Sequence, residues 1–470
     1  MKRGIVYLFC TIVLCLIFYF SYKFLNVEYH SYTPESITMP SIVVFSNRQK
    51  VDTKCFFNIS SQPVNETWQK LDSLHLYSAY IDARVEPNVV RILAMSKGKW
   101  NRNIYCRIWY KTLESVVVEA DVLELWVHSW DLAKPHDYFR PLLLTCILSG
   151  NRIPLAVSVV LEPCVEPQNI FPMAFYNPSA ISKNFAICLK PLDFEDDISP
   201  RLVEWLELQF LLGIDQVRVY VYQVHPTTLK VLKNYEKLGK IALKMHTLPA
   251  DSPNEPKERR IFLKNNIWQK RRHEMLIYND CFYSFVNSYK FVVNLDLDEA
   301  IIPVEHDTWE DLLKQVSLEN PQAMRAASLS AANVYFFDSF GEDPDLTIPK
   351  HMHMLRHVYR SANFTPPGFA QKSFFLTNTT LSTSNHYALN VLHPNLRTTL
   401  QIDKRLAKLH HYRNECPPLM EKDCKENFMK YCEKDTGIWK FKNKLIARFC
   451  HVVKTLNLTD AMANEISCVK

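Results

Sequence analysis

The chain has 470 residues, of which 47% are hydrophobic and 12% aromatic, so it is long and apolar enough for two or three folded domains and too apolar for wholesale disorder. Its formal net charge of +6 is spread along the chain, which argues against nucleic acid as a partner. Glycine is scarce, with 8 residues, and neither a GxGxxG nor a GxxxxGK sequence occurs, which argues against dinucleotide enzymes and P-loop kinases.

An uncharged apolar stretch covers residues 4–22, after Lys2 and Arg3 and before Lys23. Nineteen residues are enough for a helix to cross a hydrocarbon core of about 30 Å. A cleaved signal peptide is the alternative, but it usually has a shorter apolar core and small residues at its exit. We therefore predict a cytosolic tail at residues 1–3 and a transmembrane anchor at 4–22. The basic N-terminal residues favour a single-pass type II orientation with a lumenal body.

Two other features of the sequence suit a lumenal protein. Five N-x-[ST] sequons follow the predicted anchor, at Asn58, Asn65, Asn363, Asn378 and Asn457. Two of the 13 cysteines lie inside the anchor, and we predict disulfides among the other eleven, with at least one thiol left over because the number is odd. The alternative is a zinc site at four C-terminal cysteines whose spacing is not CxxC, namely Cys416, Cys424, Cys432 and Cys450.

The first part of the predicted lumenal body divides into a stem and a β-rich region. Residues 23–50 are polar with scattered prolines, as in a stem that joins an anchor to a globule. Residues 51–178 contain short runs rich in β-branched and aromatic residues, which predict a sandwich-like β domain. The sequence leaves open whether this domain binds carbohydrate or is purely structural.

Strands and helices alternate in residues 179–415. The predicted strands cover residues 185–189, 217–221, 241–245 and 289–297. The predicted helices open at Ser199-Pro200, cover residues 226–238 and cover residues 261–278. This order predicts an α/β domain with a mostly parallel sheet and helices as crossovers. A cysteine-containing segment, residues 416–470, ends the chain.

The most informative segment is YKFVVNLDLDEAIIP, residues 289–303. It begins as an apolar strand and ends in alternating polar positions, so Asp296 and Asp298 point the same way at the carboxyl edge of the sheet. Two carboxylates there repel each other unless a cation lies between them, and a hard divalent ion also keeps positions open for phosphate oxygens. We predict a metal site for a departing nucleoside diphosphate, with Glu299 in support. The alternative is a solvated turn whose acids cap a following helix.

Several motifs resemble glycosyltransferase family 92, a group abundant in nematodes, in their order and spacing. The matching segments, within about residues 180–415, are Ala186-Ile-Cys-Leu-Lys-Pro-Leu, Val203-Glu-Trp-Leu-Glu-Leu-Gln-Phe-Leu-Leu-Gly-Ile-Asp, Asn279-Asp-Cys, Asp296-Leu-Asp-Glu-Ala-Ile-Ile-Pro and Leu409-His-His-Tyr-Arg. Tyr80-Ile-Asp-Ala-Arg resembles the region before the catalytic domain in such proteins. The resemblance implies a Rossmann-like GT-A fold, inverting transfer, a UDP-sugar donor and Mn²⁺. In characterised members the sugar is β-linked galactose, and the acceptor is core fucose of N-glycans or galactan.

The resemblance and the predicted strand ends together suggest the metal and donor sites. Asp296 and Asp298 would bind the metal with a histidine, and among His386, His410 and His411 we favour His411, because its Leu-His-His-Tyr-Arg setting matches the family. The candidate donor-binding residues are Lys190, Asp193, Gln223, Lys372 and Arg413.

Inverting transfer requires a carboxylate that takes the proton of the acceptor hydroxyl. Asp338 and Glu342 follow a predicted strand at 331–337, and the sequence does not decide between them. His351, His353 and His357 alternate with methionines without an evident acidic partner, so a strand or loop face is favoured over a metal site.

The sequence thus predicts a Golgi-membrane transferase, and the family resemblance implies that it moves galactose from UDP-galactose to a glycan or glycoprotein. The alternative is a membrane-tethered glycan-binding protein with an inactive transferase domain. A metal-dependent hydrolase is disfavoured, because it would be expected to have more His and Asp ligands near the acidic strand end.

Overall fold

The computed structural model describes residues 50–51, 67–110, 115–131, 137–150, 152–173, 183–416 and 420–458. The predicted tail, anchor and nearly all of the stem lie outside these ranges, as do the sequons at Asn58 and Asn65. Among the helices that the model does describe, none combines the length and the apolar character needed to span a membrane.

The N-terminal half of the described chain is built from β-strands. In chain order they are β1 (Lys50–Val51), β2 (Gln69–Leu71), β3 (Leu74–Asp82), β4 (Val89–Lys97), β5 (Tyr105–Trp109), β6 (Ser115–Glu119), β7 (Asp121–Glu124), β8 (Phe139–Ile147), β9 (Ala156–Val160) and β10 (Phe171–Pro172). They form two antiparallel sheets, with orders β1-β6-β5-β9-β10 and β2-β3-β4-β8-β7. The disulfide Cys106–Cys146 joins β5 of one sheet to β8 of the other.

The second half alternates strands and helices. Its strands are β11 (Lys183–Asp193), β12 (Gln216–Gln223), β13 (Ile241–Met245), β14 (Tyr289–Leu295), β15 (Glu299–Pro303), β16 (Ala326–Phe337), β17 (Tyr359–Ser361), β18 (Lys372–Leu376), β19 (Thr380–Thr383), β20 (Ala388–Val391), β21 (Arg397–Gln401), β22 (Ala407–Arg413) and β23 (Cys432–Lys434). Its α-helices are α1 (Ser199–Leu211), α2 (Pro226–Lys237), α3 (Pro256–Asn265), α4 (Ile267–Phe285), α5 (Trp309–Glu319), α6 (His353–Arg356), α7 (Glu421–Phe428) and α8 (Lys442–Thr455).

A nine-stranded mixed sheet organises this half. Its order is β13-β12-β11-β14-β18-β16-β22-β15, with β21 paired to β16. The strands β13, β12, β11 and β14 are parallel, and β18 runs antiparallel to β14 and β16. The mixed α/β architecture predicted from the sequence is confirmed.

The element bounds differ from the predictions mainly near residue 266. The predicted helix at 261–278 is two helices, α3 and α4, which meet at Asn266 with φ −122° and ψ 64°, outside the helical region. The predicted strand at 289–297 ends at Leu295, so the Asp-Leu-Asp motif lies just beyond the strand.

The sheet β2-β3-β4-β8-β7 is buried on both faces. Val90 and Ile92 of β4 belong to the core shared with the first β-sheet. Leu93 and Met95, on the other face, belong to a core shared with α4 and with residues of β11, β12 and β14. A strand covered on both sides reads as a continuous apolar run, and β4 is buried from Val89 to Ser96.

The Tyr80-Ile-Asp-Ala-Arg segment forms polar contacts between the β-rich region and the α/β region. Tyr80 Oη donates to Asp280 Oδ1 of α4 at 2.7 Å. Arg84 pairs with Asp82 at 2.7 Å, and it donates to the backbone carbonyls of Thr380, at 2.7 Å, and of Thr377. The β-rich region is thus attached to the α/β region by hydrogen bonds as well as by apolar packing.

The predicted disulfides are present among the described residues. Cys188–Cys281 joins β11 to α4, and Cys416–Cys424 closes a short C-terminal loop. Cys450 is also disulfide-bonded, and Cys432 is a free, exposed thiol. The zinc alternative for the four C-terminal cysteines is therefore wrong.

Candidate active site

The candidate active site lies at one end of the strands β11, β14 and β18. Leu189 of β11 is opposite Leu295 of the parallel β14 in the last pair of these two strands, so the next residues, Lys190 and Asp296, lie side by side where that pairing ends. Strand β18 runs antiparallel to β14 and begins with Lys372 at the same edge. Three segments far apart in sequence thus meet at the first aspartate of the motif.

Asp296 is held between two lysines. Lys190 Nζ lies 3.3 Å from Asp296 Oδ2, and Lys372 Nζ lies 3.2 Å from Asp296 Oδ1. Burial alone would raise the pKa of Asp296, but the two ammonium groups outweigh burial and hold that pKa well below its usual value. Asp296 in turn raises the pKa of both lysines, against the opposing effect of their burial. The aspartate is therefore ionised and both lysines are charged.

Asp296, Leu297 and Asp298 form a tight turn between β14 and β15. Glu299 fixes this turn, because its Oε2 accepts a hydrogen bond from the backbone N–H of Asp296 at 2.9 Å and lies 3.1 Å from Lys372 Nζ. A strand, β15, follows the turn, so the alternative in which the acids cap a helix is wrong.

The geometry selects His411 from the three candidate histidines. It lies opposite Glu299 in the antiparallel pair β15–β22. Its Nε2 is 3.6 Å from Asp298 Oδ2, and its Nδ1 is 3.5 Å from Glu299 Oε1. His386 contacts a backbone carbonyl instead, and His410 packs on a phenylalanine ring of β16.

Asp296, Asp298, His411, Lys190 and Lys372 are called the strand-end cluster below. Burial would raise the pKa of Asp298, but the nearby imidazole of His411 outweighs burial and lowers that pKa. Two carboxylates and an imidazole are donors that suit Mn²⁺, so these residues fit the predicted ion. Arg413 Nη1 lies 3.4 Å from His411 Nε2, which brings a third cationic side chain to the cluster.

Asp193 and Gln223 lie at the ends of β11 and β12 but are bound to helix α3. Asp193 accepts two hydrogen bonds from Arg259, both 2.9 Å long. Gln223 Oε1 accepts one from Arg260 at 2.9 Å. Their described contacts fix α3 against the sheet, and their predicted role in donor binding stays a prediction.

Asp338 and Glu342 contact a different set of residues. Asp338 Oδ1 lies 3.0 Å from His353 Nε2 and 3.6 Å from His357 Nε2, and Glu342 is paired with Arg356 at 2.7 Å. The roles of the two acids as catalytic bases stay predictions. The sequence-based judgement that these histidines lack an acidic partner is wrong. It failed because Asp338 precedes His353 by 15 residues, and only the fold brings Asp338 close to His353 and His357.

Sequence reasoning also did not single out Glu274, whose Oε1 lies 3.5 Å from Lys190 Nζ. It stands in the middle of α4, surrounded by charged residues, and its role depends on how α4 packs on β11. The helical pattern of α4 alone does not reveal that packing.

The match to known families is specific. The model of glycosyltransferase family 92 matches residues 183–450, which contain the whole strand-end cluster. The chain belongs to glycosyltransferase family 92. The resemblance stated from the motifs is confirmed, while the nematode-type assignment stays a prediction.

The other comparisons add little. No curated protein sequence matches the chain significantly. The crystal structure of S. aureus TarS 1-349 covers 57% of this chain at 13% identity with a TM-score of 0.20. The corresponding complex with UDP-GlcNAc covers 58% at 14% identity with a TM-score of 0.22. The alignments span 65% and 66% of those two chains, just under two thirds. Similarity at this level carries no argument about fold or ligand.

Proposed function

We propose that the chain transfers galactose from UDP-galactose, with inversion, to a glycan such as fucose of an N-glycan. The observation that carries the proposal is the strand-end cluster, in which Lys190 and Lys372 contact Asp296 and His411 contacts Asp298, within the segment that matches a glycosyltransferase family. The choice of galactose and of fucose rests on the family resemblance. The GT-A designation rests on it as well.

Mn²⁺ is the proposed cofactor, held by Asp296, Asp298 and His411. When bound, it supplies positive charge against the departing diphosphate. Lys190, Lys372 and Arg413 place cationic groups at the same strand ends, where they would contact phosphate oxygens. The two lysines neutralise Asp296 in the free protein, so the site avoids an uncompensated buried charge before the donor binds.

The proposed setting is the Golgi lumen, with the enzyme anchored as a single-pass type II protein. The three sequon asparagines that the structure describes, Asn363, Asn378 and Asn457, are exposed, as N-glycosylation requires. Disulfides in both halves of the described chain suit an oxidising compartment. These features support the proposal, which otherwise rests on the anchor predicted from the sequence.

The test compares the full chain, purified in detergent, with its Asp298→Asn variant in a panel of UDP-sugars with Mn²⁺. Released UDP and the extended glycan are measured. We expect the variant to lose activity by a factor of about 10³, since losing metal assistance costs several kcal/mol and each 1.36 kcal/mol is tenfold in rate. Asp307→Asn, at an exposed aspartate, is the matched control and should keep the parent rate.

Two outcomes would contradict the proposal. If the Asp298→Asn variant keeps the parent rate, Asp298 does not contribute to transfer by binding a metal. A parent chain that binds glycans but neither transfers nor hydrolyses any UDP-sugar would favour the alternative of a glycan-binding protein with an inactive transferase domain.

A further inference from the structure

A second group of potential metal ligands lies outside the strand-end cluster. Asp338, at the end of β16, faces His353 and His357, and one ligand atom from each of the three lies within 4.8 Å of the other two. Asp338 Oδ1 is 3.0 Å from His353 Nε2 and 3.6 Å from His357 Nε2. Both imidazoles thus aim the same ring nitrogen at one carboxylate oxygen.

His353 is the first residue of α6, and His357 directly follows its last residue. They are four residues apart, so a single helical turn places them on one face, and their ring centroids are 3.9 Å apart. The turn itself is held by Glu204 of α1, whose carboxylate accepts hydrogen bonds from the backbone N–H groups of Met354 and Leu355 at 3.1 and 3.0 Å. The histidine pair is therefore fixed in position by a buried contact from another helix.

The hydrogen bonding of His357 determines which of its nitrogens is available. Its Nδ1 lies 2.8 Å from the carbonyl oxygen of His353, and because a carbonyl accepts, Nδ1 must carry the proton. In the neutral ring, Nε2 then carries a lone pair, and it faces Asp338 Oδ1 and also Glu342 Oε1 at 4.0 Å. An acceptor nitrogen that faces carboxylate oxygens is unfavourable unless a cation lies between them.

Glu342 is oriented toward the same point. Its Oε2 is bound by Arg356, at 2.8 Å from Nε and 2.7 Å from Nη2, which leaves Oε1 on the side of His357. A carboxylate or imidazole held by an outer partner in this way is typical of metal ligands. His353 and His357 are mostly buried, whereas Asp338 and Glu342 have side chains 35% and 44% exposed, so an ion can enter from their side.

The spacing of the ligand atoms agrees with a small divalent ion. Ligand atoms about 2.0 Å from a tetrahedral zinc ion are about 3.3 Å from one another. The two measured nitrogen–oxygen distances, 3.0 and 3.6 Å, lie on either side of that value. We propose that Asp338, His353 and His357, with Glu342 as the fourth ligand, form a zinc site separate from the strand-end cluster.

The bound zinc would hold the segment between Asp338 and His357 against the end of β16. Phe337, the last residue of that strand, pairs with Arg413 of β22, so the fastened segment begins beside the strand that supplies His411 and Arg413. The zinc would therefore act structurally, on the backbone next to the proposed donor site, and Asp338 would be a ligand rather than the catalytic base.

Metal content tests the proposal independently of transferase activity. The full chain carrying Asp296→Asn and Asp298→Asn, which disable the strand-end cluster, is stripped with a chelator and equilibrated with Zn²⁺ alone. Bound zinc is then measured by mass spectrometry. We expect one zinc ion per chain, and a tetrahedral Co²⁺ absorption spectrum when cobalt replaces zinc. His357→Ala in this background should lose the ion, whereas His351→Ala, a histidine of the same segment outside the group, should keep it.

Asp338→Asn is a second variant that preserves the size of the side chain, so it should not disturb folding. Circular dichroism checks that each variant is folded. Asp338→Asn should weaken zinc binding by at least tenfold, as removal of a ligand does. Zinc content that is absent in the parent background, or unchanged in both His357→Ala and Asp338→Asn, would overturn the proposal. If the two histidines simply share a proton, His357→Ala and Asp338→Asn leave the zinc content of the chain unchanged. If the metal proposal fails in this way while UDP-sugar turnover by the unmodified chain persists, the proposed function stands.

Discussion

Lys372 shows how single residues set the charge of the candidate active site. Its side chain is 0% exposed, and its ammonium group contacts Asp296 at 3.2 Å and Glu299 at 3.1 Å. Burial lowers the pKa of Lys372, but the two carboxylates outweigh burial, so the net shift is upward. A buried cation with two acidic partners is stabilised where it stands. For Glu299, burial outweighs the nearby ammonium group, so the pKa of that carboxyl is raised overall.

We expect Lys372→Met to reduce transfer by a factor of about 10² or more, the usual effect of removing one positioned charge from a transition state. The substitution keeps the length of the side chain but leaves Asp296 and Glu299 with less compensation. Lys290→Met is the matched control, because Lys290 is an exposed lysine on the same sheet. Steady-state kinetics with the preferred donor provide the measurement. Parent-like turnover in a folded Lys372→Met chain would show that this cation takes no part in catalysis.

For individual residues, the sequence predicted those positions that depend on the spacing of near neighbours in the chain. Asp296 and Asp298 could be placed at a strand end because they follow an apolar run. The predicted strand period does not extend to them, since they lie in the turn after β14. His411 was favoured over His386 and His410 only through the family resemblance. Its contact with Glu299 depends on the register of β22 against β15, two segments more than 100 residues apart, and spacing in the sequence does not give that register. The partnership of Asp338 with His353 was missed for a similar reason, since it depends on a single turn of helix within a region that reads as a loop.

Helix α4 is the element that joins the two halves of the described chain. Its buried residues face the β-rich sheet on one side and the central strands β11 and β14 on the other. The disulfide Cys188–Cys281 ties α4 to β11, two residues before Lys190. Fixing α4 therefore also fixes the end of the strand that supplies a cation to the candidate active site.

Replacing both Cys188 and Cys281 with alanine should lower the free energy of unfolding by about 2–4 kcal/mol, because the disulfide closes a long loop. Urea unfolding followed by circular dichroism measures the change. Cys432→Ala, at an exposed free thiol, should have no effect and serves as the control. Equal stability of the double variant and the parent would mean that packing alone holds α4 in place.

Most elements could be predicted from periodicity and from Pro and Gly signals. The helices that open at Ser199-Pro200 and Pro226 have a proline in the first turn, where the missing N–H costs nothing, and Gly213 and Gly239 follow their ends. The break at Asn266 was missed because α3 and α4 are both amphipathic enough to read as one helix. The order of strands β18, β16, β22 and β15 was also not predictable, since it depends on long-range pairing.

In the whole molecule, the β-rich region and the α/β region share one apolar core. The sequence left open whether the β-rich region binds carbohydrate or is structural. Its second sheet is covered on both faces, and its Tyr80 and Arg84 bond directly to the α/β region. These contacts favour a structural role for that sheet, because a surface in a core cannot bind a ligand.

The buried carboxylate of Asp280, on α4, offers a test of how the β-rich region is held to the α/β region. It accepts hydrogen bonds from Tyr80 of β3 at 2.7 Å and Tyr220 of β12 at 2.5 Å, and Lys244 lies 3.3 Å away. Burial raises the pKa of Asp280, but Lys244 and Arg218 outweigh it and lower that pKa from 3.8 to about 2. A carboxyl group whose pKa is lower in the folded state stabilises the fold above about pH 4, and this contribution is lost as the pH falls toward 2.

We therefore expect Asp280→Asn to lower the free energy of unfolding by about 3 kcal/mol at neutral pH, because it leaves a buried cation without its partner. The deficit should shrink as the pH falls below about 4, because the carboxyl group of the unfolded parent then takes up a proton while that of the folded parent stays ionised until about pH 2. Urea unfolding near pH 7 and near pH 3 measures both values, and both halves should unfold in one transition because they share a core. Asp251→Asn, at an exposed aspartate, should match the parent at each pH. A deficit that stays constant with pH would mean that the lost charge is not its cause, and two separate transitions would mean that the halves are stable independently.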